Sequence, residues 1–180
     1  MKYSIIILIT QLLFWGCCRS ERSILESFYK ALDGDKWEHK ENWLSDKPLN
    51  EWYGITTDEE GKVVKIQLSD TMMGKVPVNL KYLKKLQSLH LDCMAGGIRL
   101  EVNNYPSLKE LELSGNVEKV SVENCSELEK LSLTSRYFDA FHVDSCPKLS
   151  SLELIGHNIS DTTKRELDLS PFPKLSELKI

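Results

Sequence analysis

The segment Leu108-Lys109-Glu110-Leu111-Glu112-Leu113 has leucine at its first, fourth and sixth positions, and this spacing recurs along the chain. With Val or Ile accepted in place of Leu, the pattern L-x-x-L-x-L occurs at 63–68, 86–91, 108–113, 128–133, 149–154 and 175–180. The runs begin 23, 22, 20, 21 and 26 residues apart. A period of this length is typical of a solenoid, in which each turn buries its apolar face against its neighbours.

These six runs resemble the repeats of the leucine-rich repeat family. The resemblance implies a right-handed α/β solenoid of about six turns, mostly β with few helices, and a recognition scaffold rather than a catalyst. Each run should form a short strand, and these strands should stack in parallel on the concave side. The repeats would occupy residues 63–180.

The segments that connect these strands differ in pattern along the chain. Residues 77–85 favour a short helix, whereas the alternating segments 120–122 and 141–143 favour a second short strand. The asparagine that the repeat pattern places after each strand is present only as Asn116. Because that asparagine would satisfy backbone groups, its absence elsewhere predicts irregular loops along that edge.

The residues before the repeats predict a helix and a small aromatic core. We expect a helix at 23–33, with Ser23 and Glu26 as a capping box and Gly34 as a left-handed C-cap. Its apolar side chains fall on one face. Trp37, Trp43 and Trp52 follow within a short stretch and predict a compact aromatic core beside that face.

This region resembles the N-terminal cap of secreted leucine-rich repeat proteins, plant-type and bacterial. The matching order is Trp37, then Asn42-Trp43, then Trp52-Tyr53-Gly54, then Gly61-Lys62-Val63. The resemblance implies that residues 17–62 are a linker and a cap, in which the helix at 23–33 and a Trp-rich hairpin seal the first repeat. Plant relatives carry disulfide cysteines in the cap, but no cysteine lies between Arg19 and Asp92 here. The cap should hold by burial alone.

Residues 1–16 predict a signal peptide. Lys2 precedes an apolar run from Ile5 to Trp15, which is shorter than the roughly 20 residues that cross a bilayer. The junction Gly16-Cys17 resembles a bacterial lipoprotein signal, which implies acylation of Cys17 and a membrane anchor made of lipid. An ordinary signal peptide is the alternative. Either reading makes the protein exported, with the membrane face left open.

The composition and the scattered reactive residues argue against several function classes. A net charge of −4 without a basic stripe disfavours nucleic acid as a partner. The four histidines occupy different repeat positions, so we expect no zinc site and no cofactor. His90 and Cys93 should face opposite sides of a strand, which disfavours a catalytic dyad. The acidic turn 58–61 should be a solvated hairpin tip.

Two cysteines occupy equivalent places in successive repeats. Cys125 and Cys146 stand where other repeats carry Tyr105 and Phe172. A position shared by Cys, Tyr and Phe indicates apolar packing, with a free thiol acting as a small hydrophobe. Oxidation of the stacked pair is the alternative.

The residues between the leucines should form three outward-facing columns, which we call the concave face. The central column is Gln67, His90, Glu112, Ser132, Glu153 and Lys179; its flanks are Lys65, Ser88, Glu110, Lys130, Ser151 and Glu177, and Ser69, Asp92, Ser114, Thr134 and Ile155. The candidate binding residues are Lys65, Gln67, His90, Asp92, Glu110, Glu112, Ser114, Lys130, Ser132, Thr134 and Glu153.

The partner that this face predicts is a protein or peptide. The carboxylates of its acidic residues would stand about 5 Å apart between adjacent turns, and their repulsion would favour a basic or hydroxyl-rich partner. Three alternatives stay open: a merely soluble face, an anchor at a loop carrying Arg136, Tyr137 and Phe138, and self-association through the edge strand at 175–180.

Overall fold

A computed structural model describes residues 20–137, 140–158 and 172–179, and the structural statements below concern these residues. The predicted signal peptide, Cys17, Cys18, Phe138 and Ile180 lie outside them. One parallel sheet organises the fold. Its strands are β2 (Val63–Lys75), β3 (Ser88–Asn103), β4 (Glu110–Glu123), β5 (Lys130–Tyr137), β7 (Ser151–Asn158) and β8 (Glu177–Lys179).

These strands pair in parallel in chain order and form a β-solenoid of about four turns with few helices. The short strand β1 (Ile55–Thr57) pairs antiparallel with β2, and β6 (Ala140–Asp144) pairs with β4. The leucines of the repeated pattern are in register: Ile66 pairs with Leu89, and Leu89 with Leu111. All three are fully buried. The predicted parallel stacking is therefore confirmed.

The edge predicted to consist of irregular loops is instead part of the sheet. β2, β3 and β4 each run through the corner, with register shifts near Asp70 and Cys93. Side chains other than asparagine bond to backbone groups along this edge. The Cys93 thiol donates to the carbonyl of Met72 at 3.0 Å, and the Ser135 hydroxyl accepts from the N–H of Val117 at 3.2 Å. The strands therefore continue along this edge, while the register shifts retain part of the predicted irregularity.

The connecting segments follow the sequence pattern. The first contains a 3-10 helix, η3 (Val78–Tyr82), where the sequence predicted a short helix. In the next turns the second halves of β3 and β4 and the whole of β6 pair with one another, with Val120 opposite both Leu100 and Phe141. The predicted second strands are thus confirmed. The residue that follows each of these strands has a positive φ: Asn104 after β3, Asn124 after β4 and Ser145 after β6.

The cap contains the single α-helix of the described residues, α1 (Glu21–Ala31). The helix begins two residues before the predicted 23–33 and ends at Ala31. Ser20, and not Ser23, is the N-cap, because its hydroxyl accepts the N–H of Ser23 at 3.1 Å. The left-handed residue after the helix is Asp33, with φ of 59°, and not Gly34. Gly34 is required for space, since a Cβ there would collide with the ring of Tyr29.

The tryptophans form the predicted aromatic core, although they lie in turns rather than in a hairpin. The Trp-rich stretch contains two 3-10 helices, η1 (Gly34–Lys36) and η2 (Leu49–Glu51), and the only hairpin of the cap is the β1–β2 pair. Trp43 lies at the centre, with its ring centroid 5.4 Å from that of Trp37 and 5.1 Å from that of Trp52. All three are buried. Burial therefore holds the cap together, as the lack of cysteines suggested.

Candidate binding surface

The concave face has the register that the sequence predicted. In the central column Gln67 pairs with His90, His90 with Glu112, and Glu112 with Ser132. The column continues from Ser132 through Glu153 to Lys179. Both flanking columns are aligned in the same way. The side chains of the three columns therefore stand in rows across neighbouring strands.

Hydrogen bonds along the columns fix two of the carboxylates. Asp92 accepts from the hydroxyls of Ser69 and Ser114, each at 2.8 Å. Glu153 accepts from the Ser132 hydroxyl at 2.8 Å and from the Lys179 ammonium at 2.6 Å. The hydrogen bonds from Lys179 and Ser132 hold the pKa of Glu153 below its ordinary value. Both carboxylates are therefore oriented before any partner binds.

The expected repulsion between stacked carboxylates is wrong. Glu112 stands between His90 and Ser132, and its carboxylate lies 3.5 Å from the His90 ring nitrogen. Glu110 stands between Ser88 and Lys130. Each acid of the candidate set therefore faces a hydroxyl, an imidazole or an ammonium across the strand, and never another acid. Relief of repulsion between stacked carboxylates is therefore not a reason for this face to select a basic partner.

A subset of the concave face remains open to solvent. Its exposed members are Gln67, Glu110, Lys130, Thr134, Ile155, Glu177 and Lys179. Glu110 and Lys130 are register neighbours, as are Thr134 and Ile155. Ile155 is 38% exposed, so an apolar group lies next to a hydroxyl on this surface. These seven residues offer opposite charges, an amide, a hydroxyl and one apolar contact.

The residues with catalytic potential do not converge. Cys93 is fully buried, whereas His90 and Asp92 are partly exposed, so the thiol and the imidazole face opposite sides of β3. Burial raises the pKa of the Cys93 thiol, which opposes formation of the nucleophilic thiolate. Within the described ranges, no three His, Cys, Asp or Glu side chains are grouped as metal ligands would be.

The proposed anchor loop has a different structure from the one predicted. Arg136 and Tyr137 are the last residues of β5, and Tyr137 pairs with Asn158 of β7. These two residues extend β5 beyond the repeated pattern, and β5 stays paired with β7 as far as Tyr137. The third member, Phe138, lies outside the described residues.

Two features of the structure escaped the sequence analysis. Asp70 is buried at the end of the first repeat strand, and its carboxylate accepts backbone N–H groups of the cap. A groove of about 520 Å³ lies beside η3, over the second halves of β3 and β4, and is lined in part by Lys81, Glu101 and Lys119. The alternating polar residues at 99–103 and 119–123 could have indicated its floor. One wall of the groove is formed by η3. The sequence pattern does not show how η3 packs.

Comparisons with known proteins give no family for this chain. No protein-family model matches it, and no curated protein matches it. The described part of the chain contains no helix that is both long and apolar enough to span a membrane.

Proposed function

We propose that this chain is an exported, non-catalytic recognition module of the leucine-rich repeat type that binds a protein or peptide on its concave face. The observation that carries the proposal is the alignment of the three outward columns across the parallel strands. The finer description, a right-handed leucine-rich repeat solenoid of six turns, belongs to the proposal and rests on the repeated L-x-x-L-x-L pattern.

Preorganisation supports a binding role for this face. A side chain that is immobilised on binding costs about 0.5–1.5 kcal/mol of lost freedom. Asp92 and Glu153 are already oriented by hydrogen bonds to residues of their own columns on neighbouring strands, so much of that cost is met by folding. The exposed residues Gln67, Glu110 and Lys130 then supply contacts of both charge signs. A partner of mixed polarity, rather than a basic one, fits this surface.

The proposed export rests on the leader. An acylated Cys17 would anchor the module to a membrane surface and leave the solenoid free to bind. Replacing Cys17 by Ser in a bacterial host should release the mature chain from the membrane fraction, while the wild-type chain should incorporate labelled fatty acid. Absence of label in the wild-type chain would assign the leader to an ordinary signal peptide, and the binding proposal would stand unaffected.

Matched charge reversals test the concave face. Immobilised protein should capture a partner from bacterial or host surface extract, and Glu110→Lys combined with Thr134→Arg should reduce that capture at least tenfold. Glu59→Lys, which makes one of the same charge changes at the exposed hairpin tip, should leave capture unchanged. Equal capture by both variants would remove the concave face as the binding surface. Thermal unfolding of each variant verifies that the fold persists.

Self-association through β8 is the second candidate. Its supporting observation is that β8 pairs with β7 along one side, while its Leu178 is 44% exposed. An edge strand with an exposed leucine can pair with another chain. Light scattering of the soluble mature protein separates the candidates, because a self-associating chain gains mass with concentration and a simple recognition module does not.

A further inference from the structure

Cys125 and Cys146 occupy matching positions in two consecutive turns of the solenoid. Each follows a residue of left-handed conformation, Asn124 with φ of 54° and Ser145 with φ of 53°. Each also accepts at its carbonyl the N–H of the residue three positions later, at 3.1 Å in the first turn and 3.0 Å in the second. The two turns therefore share one backbone conformation.

The two turns also lie directly side by side. Glu123 of β4 is the register partner of Asp144 of β6, two residues before the respective cysteines. The N–H of Asn124 donates to the carbonyl of Asp144 at 3.3 Å, which continues the pairing by one residue. Neighbouring strands lie about 4.8 Å apart. Disulfide-bonded cysteines have Cα atoms about 4.4–6.8 Å apart, so this spacing suits a cross-link without movement of the strands.

The two thiol side chains have the same orientation within their turns. The Sγ atom of Cys125 lies 3.4 Å from the carbonyl oxygen of Glu123, and that of Cys146 lies 3.3 Å from the carbonyl oxygen of Asp144. Both side chains are fully buried. The two sulfurs therefore occupy equivalent positions in turns whose backbones pair directly.

We propose that Cys125 and Cys146 are an oxidation site that forms a disulfide linking two successive turns when the chain folds in the presence of a disulfide oxidant. The thiolate of one cysteine attacks a sulfur of a small-molecule disulfide such as oxidised glutathione and releases one small thiolate. The thiolate of the second cysteine then displaces the other half. The two cysteines lose two protons and two electrons, and the small disulfide is reduced to two thiols.

Folding is the stage at which this exchange occurs. In the folded chain both thiols are fully buried, so a small disulfide has no access to either sulfur. Before the turns dock, both thiols are solvated and ionise normally. The cross-link therefore forms as the turns meet, and the folded reduced protein reacts slowly. The proposal does not depend on the proposed binding function.

The experiment is refolding of the fully reduced 180-residue chain in a reduced and oxidised glutathione mixture, followed by alkylation and non-reducing trypsin digestion. The expected result is a linked pair of peptides, 120–130 and 137–148, that separates on reduction. Cys93→Ala should leave this pair intact, and Cys125→Ser should abolish it. Reduction of the cross-linked protein should lower its melting temperature by about 6–12 °C, because the disulfide closes a loop of roughly 20 residues in the unfolded chain.

Recovery of both peptides in alkylated form from refolded wild-type protein would overturn the proposal. So would equal amounts of mixed pairs that join Cys93 to either cysteine, because the register would then exert no selection. Both readouts come from the wild-type chain, so the test remains decisive even where a cysteine variant fails to fold.

Discussion

Asp70 should be the residue whose carboxylate contributes most to holding the cap on the repeats. It is 4% exposed, and its Oδ1 accepts the N–H of Glu38 at 2.9 Å and of Thr71 at 2.7 Å. Its Oδ2 accepts the N–H of His39 at 2.8 Å. Two of these donors belong to the cap and lie more than thirty residues away in sequence. The side chain therefore joins the aromatic cap to the first turn.

The expected loss follows from counting these bonds. In Asp70→Asn the amide oxygen can keep the two bonds made by Oδ1, whereas the NH₂ group must face the His39 N–H. A hydrogen bond to a charged group is worth about 1.5–3 kcal/mol, so we expect Asp70→Asn to lower the free energy of unfolding by about 2 kcal/mol. Asp70→Ala, which leaves all three N–H groups without this acceptor, should cost about 4 kcal/mol.

The pH dependence gives a second signature of the same carboxylate. Burial raises the pKa of Asp70, but the N–H donors of His39, Glu38 and Thr71 lower it further, so the net pKa lies below its ordinary value. The unfolded chain then takes up the proton first as the pH falls. The stability due to Asp70 is fully present above about pH 4, the unfolded-state pKa, and is lost as the pH falls through the lower folded-state value.

Urea unfolding at several pH values measures both effects, with tryptophan fluorescence reporting the cap and far-UV circular dichroism reporting the sheet. Asp92→Asn is the matched control, because Asp92 is half-buried and accepts only from hydroxyls, which can turn to accept from the new amide. It should cost about 0.5 kcal/mol or less. Equal losses in Asp70→Asn and Asp92→Asn, or a loss that stays constant from pH 7 to pH 2, would refute the reasoning.

Five further substitutions, at four positions, test the packing and the backbone. Trp43→Ala should lower the free energy of unfolding by about 3–5 kcal/mol, because it empties the centre of the aromatic core, and Trp43→Phe should cost less; urea unfolding measures both. Gly115→Ala should prevent folding or cost more than about 3 kcal/mol, since φ is +89° and the new Cβ would collide with the Cys93 carbonyl. Gly61→Ala, with φ of +76° and no atom within 4 Å, should cost only about 1–2 kcal/mol, and equal losses at both glycines would contradict the collision. Ser145→Gly should raise the melting temperature by a few degrees, because φ at this position is 53°, and a fall would show that the Ser145 side chain stabilises the turn.

The sequence predicted the sheet well because one physical constraint repeats along it. Alternation within each L-x-x-L-x-L run assigns inward and outward residues, and a slip of one residue would expose every leucine. The register of the concave face follows directly. The same alternation predicted the second strands at 120–122 and 141–143, both of which form.

The errors arose where contacts distant in sequence decide between similar local patterns. Ser23 and Glu26 satisfy the capping-box pattern, but the helix begins earlier, at Glu21, with Ser20 as its N-cap. A tertiary bond favours this start, because the Glu21 carboxylate in the first turn accepts the N–H of Val63 at 2.8 Å. Neither that contact nor the contacts of Asp70 can be read from local spacing. Charge repulsion was mispredicted for a different reason, since the acids of adjacent turns lie in different columns.

The two outer strands of the described sheet decide how far the chain could assemble with itself. On the cap side β1 is the outermost strand, since it pairs with β2 along one side, and β8 is the outermost strand at the other side. Pairing of β8 with the β8 of a second copy joins identical surfaces about a two-fold axis, so that assembly ends at a dimer. Pairing of β8 with the β1 of a second copy joins different surfaces, so that assembly continues from copy to copy. Light scattering distinguishes the two, because the mass stops at twice that of the chain in the first case and keeps rising with concentration in the second.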